Sequence, residues 1–318
     1  MIMRLFLLKI IVFSCLMGLC LLIGLFIIRN PSAKHTLLGE TVHKRKLLEN
    51  TQQAKIVFVG GSNLSHGLDS GRIFDEFNRP VVNMGVHGGL GLAYMINEVK
   101  PYIRKNDIIV VVPEYGLFQG GYYGNVETLG VVFDILPEYK KLITLRHWIH
   151  LLRYMPNYAA IKWMNVFCKW GRRGGEIASH YNQYGDRTID WNLKSQPLAP
   201  VKPKTDALDL IGFDELERLY SVTQKLEAHL FILPPCYQAT SYDNMPSIIN
   251  RIEEEFKRRG LPLRAKPMRY RMNDDLHSDT PYHLTKAGVD LRTSLVIEDL
   301  HKIFDTLVEE DRIRDHDE

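Results

Sequence analysis

Cysteine is scarce in this 318-residue chain. Of the four, Cys15 and Cys20 fall inside one long apolar run, and only Cys168 and Cys236 lie elsewhere. That distribution excludes a disulfide-built scaffold. None has the Cys/His spacing of a zinc site, so no metal is expected and Cys168 and Cys236 read as packed side chains. A P-loop lysine is missing behind the glycine cluster Gly88-Gly89-x-Gly91, which argues against a nucleotide cofactor. Low-complexity tracts are absent, and 45% hydrophobic with 24% charged residues is globular composition. Net charge is only +3 and is unevenly placed. Residues 1–53 hold seven Lys/Arg against two acids; the remainder holds 33 bases and 35 acids. The body is therefore slightly acidic and offers no footprint for nucleic acid.

What the N-terminus does have is a charge-free stretch from Ile10 to Ile28, IIVFSCLMGLCLLIGLFII. As a helix it is about 28 Å long, one hydrocarbon thickness. No small-x-small cleavage site follows it, and Leu19 before Cys20 is too large for a lipobox. It has no polar face, unlike a buried core helix. Residues 1–31 are expected to be a retained single-pass anchor in the inner or plasma membrane. Topology is contested. Five Lys/Arg on the distal side and two on the proximal side favour a cytoplasmic body. A long C-terminal domain can nevertheless translocate with little regard to charge.

Beyond the anchor, residues 32–53 are polar and helix-prone and read as a stalk. Strand and helix patterns then alternate. KIVFVG (55–60), PVVNMG (80–85), DIIVVV (107–112) and HLFIL (229–233) read as strands, with a poor fifth at 261–264. Helical spacing covers 69–78, 90–104, 213–227, 246–259 and 285–308, and 309–318 reads as an acidic tail. This alternation predicts an α/β domain over 54–308 with a parallel sheet covered by helices. Residues 116–210 interrupt it after the third strand as an insertion or lid. Their aromatics include Tyr122, Tyr123, Trp148, Trp163, Trp170, Tyr181, Tyr184 and Trp191, and 140–165 is amphipathic and basic.

In doubly wound sheets, ligands sit beyond the carboxyl ends of the strands. There this chain places Gly60-Gly61-Ser62-Asn63, Asn83-Met84-Gly85-Val86-His87-Gly88, Pro113-Glu114-Tyr115-Gly116 and, late in the chain, Asp279…His283. A serine at a glycine turn, a backbone-exposing glycine turn and an acid–histidine pair are the parts of acyl transfer. The histidine activates the hydroxyl, the acid holds the histidine's tautomer, and N–H groups receive the oxyanion.

These segments resemble blocks I, II and V of the SGNH (GDSL-type) hydrolases: Ser62 in GGSN, Asn83-x-Gly85-x-His87-Gly88, and Asp279…His283-Leu-Thr-x-x-Gly288. The resemblance covers about 54–115 and 213–308. It implies a flavodoxin-like three-layer α/β/α domain and a metal-free Ser62-His283-Asp279 triad. Ser62 Oγ is then expected within hydrogen-bond reach of His283. It also implies an oxyanion hole from the N–H groups of Ser62 and Gly85, aided by Asn63. His87, Glu114 and Tyr115 are expected beside the substrate. Asp274 or Asp275 can replace Asp279 by spacing, and His277 is the rival histidine. Thr285 is expected to cap the last helix just after His283, and Asn83 to bond its own turn.

Two departures stand out. The block I acid is replaced by Gly61, and the block III asparagine by the Glu114 segment. The resemblance and the anchor together imply an esterase or O-acyltransferase acting on acylated envelope or exopolysaccharide glycans. Its domain would be periplasmic or extracellular, beside other polysaccharide-modification proteins, with the aromatic insertion suited to sugar stacking. The alternatives are a catalytically reduced scaffold that binds glycan or a partner, and a cytoplasm-facing lipid esterase suited to Lys44-Arg45-Lys46.

Overall fold

The computed structural model describes residues 2–29, 33, 36–168, 180–202 and 207–317. Trp170 and the Gly171–Gly175 stretch lie outside them. In chain order the helices are α1 (Ile2–Leu22), α2 (Glu40–Asn50), α3 (Ser62–Ser65), α4 (Ser70–Phe77), α5 (Leu92–Val99) and α6 (Val126–Ile135). They continue as α7 (Leu145–Leu152), α8 (Met155–Cys168), α9 (Ile211–Lys225), α10 (Ala239–Asp243), α11 (Pro246–Arg258) and α12 (Lys286–Asp317). The strands are β1 (Ile56–Gly60), β2 (Val81–Asn83), β3 (Ile108–Val112), β4 (His229–Ile232), β5 (Tyr237–Gln238) and β6 (Arg271–Met272).

The chain forms two compact units, residues 1–39 with 125–177, and 40–124 with 178–318. The second is the α/β unit. Its parallel sheet has the order β2-β1-β3-β4, so the switch point lies between β1 and β3. Continuous apolar runs form these strands because both faces are covered. Ile56, Phe58, Ile108 and Val110 join the core containing Val289, Val296, Leu300 and Ile303 of α12. The alternate residues Val57, Val59, Ile109 and Val111 are equally buried, on the face packed by α5 and α9. A buried Lys55–Asp107 pair at 2.8 Å ties the starts of β1 and β3.

Four expected strands are present. The fifth is reduced to a single bridge, Ile232 to Leu263, and a separate parallel pair, β5–β6, was not anticipated. The expected stalk contains α2, which is an integral part of the α/β unit: Glu40, Thr41, Lys44 and Leu48 are buried. The expected insertion divides. Residues 178–210 belong with the α/β unit, where Tyr184 O accepts from Asn83 N and Ser65 O accepts from Arg187 N. The expected tail continues α12 as helix to Asp317.

The first unit holds α1, which passes into a wider π-turn at Ile23–Ile27, and α6 to α8. Over Ile2–Ile27 it is long and apolar enough to cross a membrane.

Candidate active site

Ser62 opens α3 directly after β1, with Gly61 in extended conformation as the N-cap. A serine at that position keeps its own N–H outside the helix hydrogen-bond ladder. Neither the Ser62 N–H nor its Oγ is bonded to another described residue. The next residue is held from every side. Asn63 is 0% exposed; its Nδ2 donates to Val112 O and Glu114 Oε1, each at 3.3 Å. Its backbone N–H also donates to Glu114 Oε1 at 3.3 Å. The Arg292 guanidinium, 1% exposed on α12, donates to Asn63 Oδ1 at 2.9 Å and to Asn63 O. Asn63 is thus a structural keystone of the serine turn, not a free oxyanion donor.

Glu114 lies between the two glycine turns. A Cβ at Gly61 or at Gly88 would collide with its carboxylate, so glycine at both positions lets the carboxylate sit this close to the two turns. The block III position therefore carries an acceptor that caps α3 through Asn63. Tyr115 departs from expectation too. At 3% exposed, its ring meets Tyr237 edge-on at 5.4 Å, and its N–H donates to Tyr282 Oη at 3.2 Å. It is core, and Tyr282 takes the place beside the open space.

The Gly85 turn is also internally satisfied. Gly85 N–H donates to Asn83 Oδ1 at 3.0 Å, the local turn expected of Asn83. Gly85 O accepts from Lys44 of α2. Of the three expected oxyanion donors, only the Ser62 N–H is without an acceptor among the described residues. Asn83 Nδ2 donates to Leu64 O (3.0 Å) and Asp186 Oδ1 (2.8 Å). Asp186 also accepts from Ser70 N, Ser70 Oγ and Asn182 Nδ2. Burial pushes the Asp186 carboxyl up. Burial likewise raises Glu40 to about 8 against Lys44, whose ammonium burial pulls down.

The late segment forms a histidine–carboxylate pair. His283 Nδ1 lies 2.9 Å from Asp279 Oδ1. The hydrogen bond to His283 holds Asp279 down at about 2, so it is ionised and Nδ1 carries the proton. Nε2 is then the basic edge, and it is bonded to no described residue. Thr285 Oγ1 accepts from Gly288 N at 3.4 Å and fixes this segment at the start of α12. The rivals go elsewhere. Asp274 accepts from Thr240 N and Oγ1. His277 is 0% exposed, neither ring nitrogen has a partner among the described residues, and burial lowers it to about 4. Ser62 Oγ and His283 are not hydrogen-bonded to each other, so the expected contact is not closed.

The sequence places His66 near the site as a solvated or plain hydrogen-bonding histidine, but does not signal its contact with His283. The His66 ring stacks on it, centroids 4.0 Å apart and planes 2° from parallel. His66 Nδ1 is 2.8 Å from Asp190 Oδ2, and burial keeps it neutral with a value of about 4. Nothing in spacing signals this pairing, because Asp190 arrives from a distant loop. His87 Nδ1 accepts from Gly89 N at 2.9 Å, which leaves the proton on Nε2, and burial lowers it.

A cavity of about 290 Å³ opens beside Glu114, lined also by Gly88, Leu117, Tyr237, Met245 and Tyr282. A similar cavity of about 300 Å³ by Asn106 and His229 lies at the amino ends of β3 and β4, away from this chemistry. Three of the described insertion aromatics are packed inward. Tyr122 is buried, and Tyr184 and Trp191 pack against the hydrophobic core. Among the described residues no cluster of His, Cys, Asp and Glu could hold a metal. Neither protein-family models nor curated proteins match this chain.

Proposed function

We propose that the chain is a membrane-anchored serine esterase or O-acyltransferase of the SGNH type, acting on acyl esters of envelope or exopolysaccharide glycans. The observation that carries this reading is the Asp279–His283 hydrogen bond, with Nε2 unpartnered among the described residues and the ring stacked on His66, four residues after Ser62 at a helix start. Ser62 Oγ attacks the ester carbonyl while His283 Nε2 takes its proton, and Asp279 stabilises the imidazolium. The oxyanion receives the Ser62 N–H. Collapse breaks the ester C–O bond, and the imidazolium returns its proton to the leaving alcohol. Water or an acceptor hydroxyl then releases the acyl group by the same steps in reverse. Substrate entry has to close the gap between Ser62 and His283; such contacts often tighten only in the complex. The cavity beside Glu114 suits the acyl or alcohol portion, with the carboxylate accepting a substrate hydroxyl.

A second reading has its own support. The Gly85 N–H and Asn63 are already bonded internally, and a carboxylate stands where the family places an asparagine. Losing one oxyanion donor typically costs 10²–10³ in rate. A scaffold that binds an acylated glycan or a partner without turnover would carry these features. Fluorophosphonate labelling separates the two: Ser62-dependent labelling supports the enzyme, and none supports the binder.

A further inference from the structure

Apart from α1, the first unit carries large apolar side chains that face outward. Leu145, Ile149 and Leu152 of α7, at i, i+4 and i+7, are 75%, 64% and 63% exposed. Phe167 of α8 is 75% exposed, with Met164 and Val166 beside it. Soluble surfaces scatter such residues singly; here they gather on two helices of one small unit.

The same unit shows what covers them. Helix α8 runs antiparallel to the end of the apolar N-terminal helix. Lys162 Nζ donates to Leu25 O at 3.3 Å, and Trp163 Nε1 donates to Cys20 O at 2.9 Å. Gly24 is backed by Ala159 and Trp163. Cys20 lies eight residues before Ile28, about 12 Å inside the apolar run at 1.5 Å per residue. Its carbonyl is reached by an indole N–H, and each further turn of α8 goes deeper, to Met164 and Phe167. At the shallow end Lys140 Nζ lies over the Phe26 ring at 5.5 Å. Cation at the shallow level, indole between and bare apolar side chains deepest is the gradient of a membrane interface. The one buried charge on α8, Lys162, is neutralised by Asp134 at 2.8 Å, which also accepts from Tyr158 Oη.

We propose that α7 and α8 form a membrane-embedded collar beside the anchor, their outward apolar faces immersed in the phospholipid bilayer. This rests on the reading of α1 as a membrane span, and the test separates the two. The full chain, with its four cysteines replaced by alanine, is given single cysteines at Leu16, Ile149, Phe167 or Glu254. Each is labelled with an environment-sensitive dye and reconstituted in phosphatidylcholine–phosphatidylglycerol vesicles. The collar predicts blue-shifted emission quenched by lipid-borne nitroxide at 16, 149 and 167, and iodide quenching at 254. Lipid quenching at 16 with iodide quenching at 149 and 167 overturns the collar and leaves the anchor. Iodide quenching at 16 overturns the anchor and the collar with it. Shielding of 149 and 167 from both quenchers, with cross-linking between chains, assigns the face to a second copy and overturns the collar. The unsubstituted chain provides a label-free check. Its tryptophan emission is quenched by brominated lipid, and Trp163→Phe reduces that quenching; quenching unchanged by Trp163→Phe contradicts the proposed depth of α8.

Discussion

At the residue scale the site is built from commitments that side chains make to the backbone. Asp279→Asn keeps the shape but gives His283 a neutral partner that no longer enforces the Nδ1–H tautomer. It is expected to lower kcat/KM on an aryl acetate about 10²–10⁴-fold with little change in stability, read by steady-state kinetics and thermal melting. His277 behaves differently, because it is fully buried. Its folded value of about 4 lies below the ordinary 6.5 of an unfolded histidine. The unfolded chain therefore binds more protons between those values. The stability held above pH 6.5 is lost as pH falls toward 4, and His66 adds in the same direction. His277→Leu is expected to flatten that decline, so its Tm advantage over the parent is larger at pH 5 than at pH 7. An equal difference at both pH values would show that His277 does not titrate on unfolding. The His-Asp spacing and the Thr285 cap were legible in the chain, as was the local turn of Asn83. That the Asn63 amide is already bonded was not, because its acceptors Val112 O and Glu114 Oε1 are set by tertiary packing that no local spacing encodes.

At the element scale, α12 and α2 hold the serine and glycine turns from opposite ends of the sequence. Arg292 bridges α12 to both oxygens of Asn63. Arg292→Met leaves those buried acceptors without their charged donor and is expected to cost roughly 2–4 kcal/mol, read from the urea midpoint. Helix α2 supplies Lys44 to Gly85 O, and Leu48 to the core. A chain begun at residue 54, where composition suggests the domain starts, is expected to melt well below one begun at Glu40. Equal melting would show α2 to be dispensable. Polar composition hid this helix: its buried face contains Glu40, Thr41 and Lys44, which carry no apolar period. The four main strands were legible because β-branched apolar runs buried on both faces have few other readings. β5 and β6, two residues each, are too short to carry a pattern.

At the scale of the whole molecule, the charge asymmetry becomes a matter of topology. Lys44 is buried, so one of the five bases on the distal side of the anchor is not a free membrane-facing charge. That removes one base from the Lys44-Arg45-Lys46 patch a surface lipid esterase would use. The body is expected to be digested by protease added to intact cells or spheroplasts; protection until lysis would contradict an exported domain. The acyl-transfer chemistry depends on Ser62. Full-length protein in detergent is treated with a fluorophosphonate probe, and the labelled site is mapped by mass spectrometry in parent, Ser62→Ala and His283→Ala chains. The proposed triad predicts labelling at Ser62 in the parent, none in Ser62→Ala and strong reduction in His283→Ala. An unlabelled parent, or labelling that survives Ser62→Ala, would contradict it.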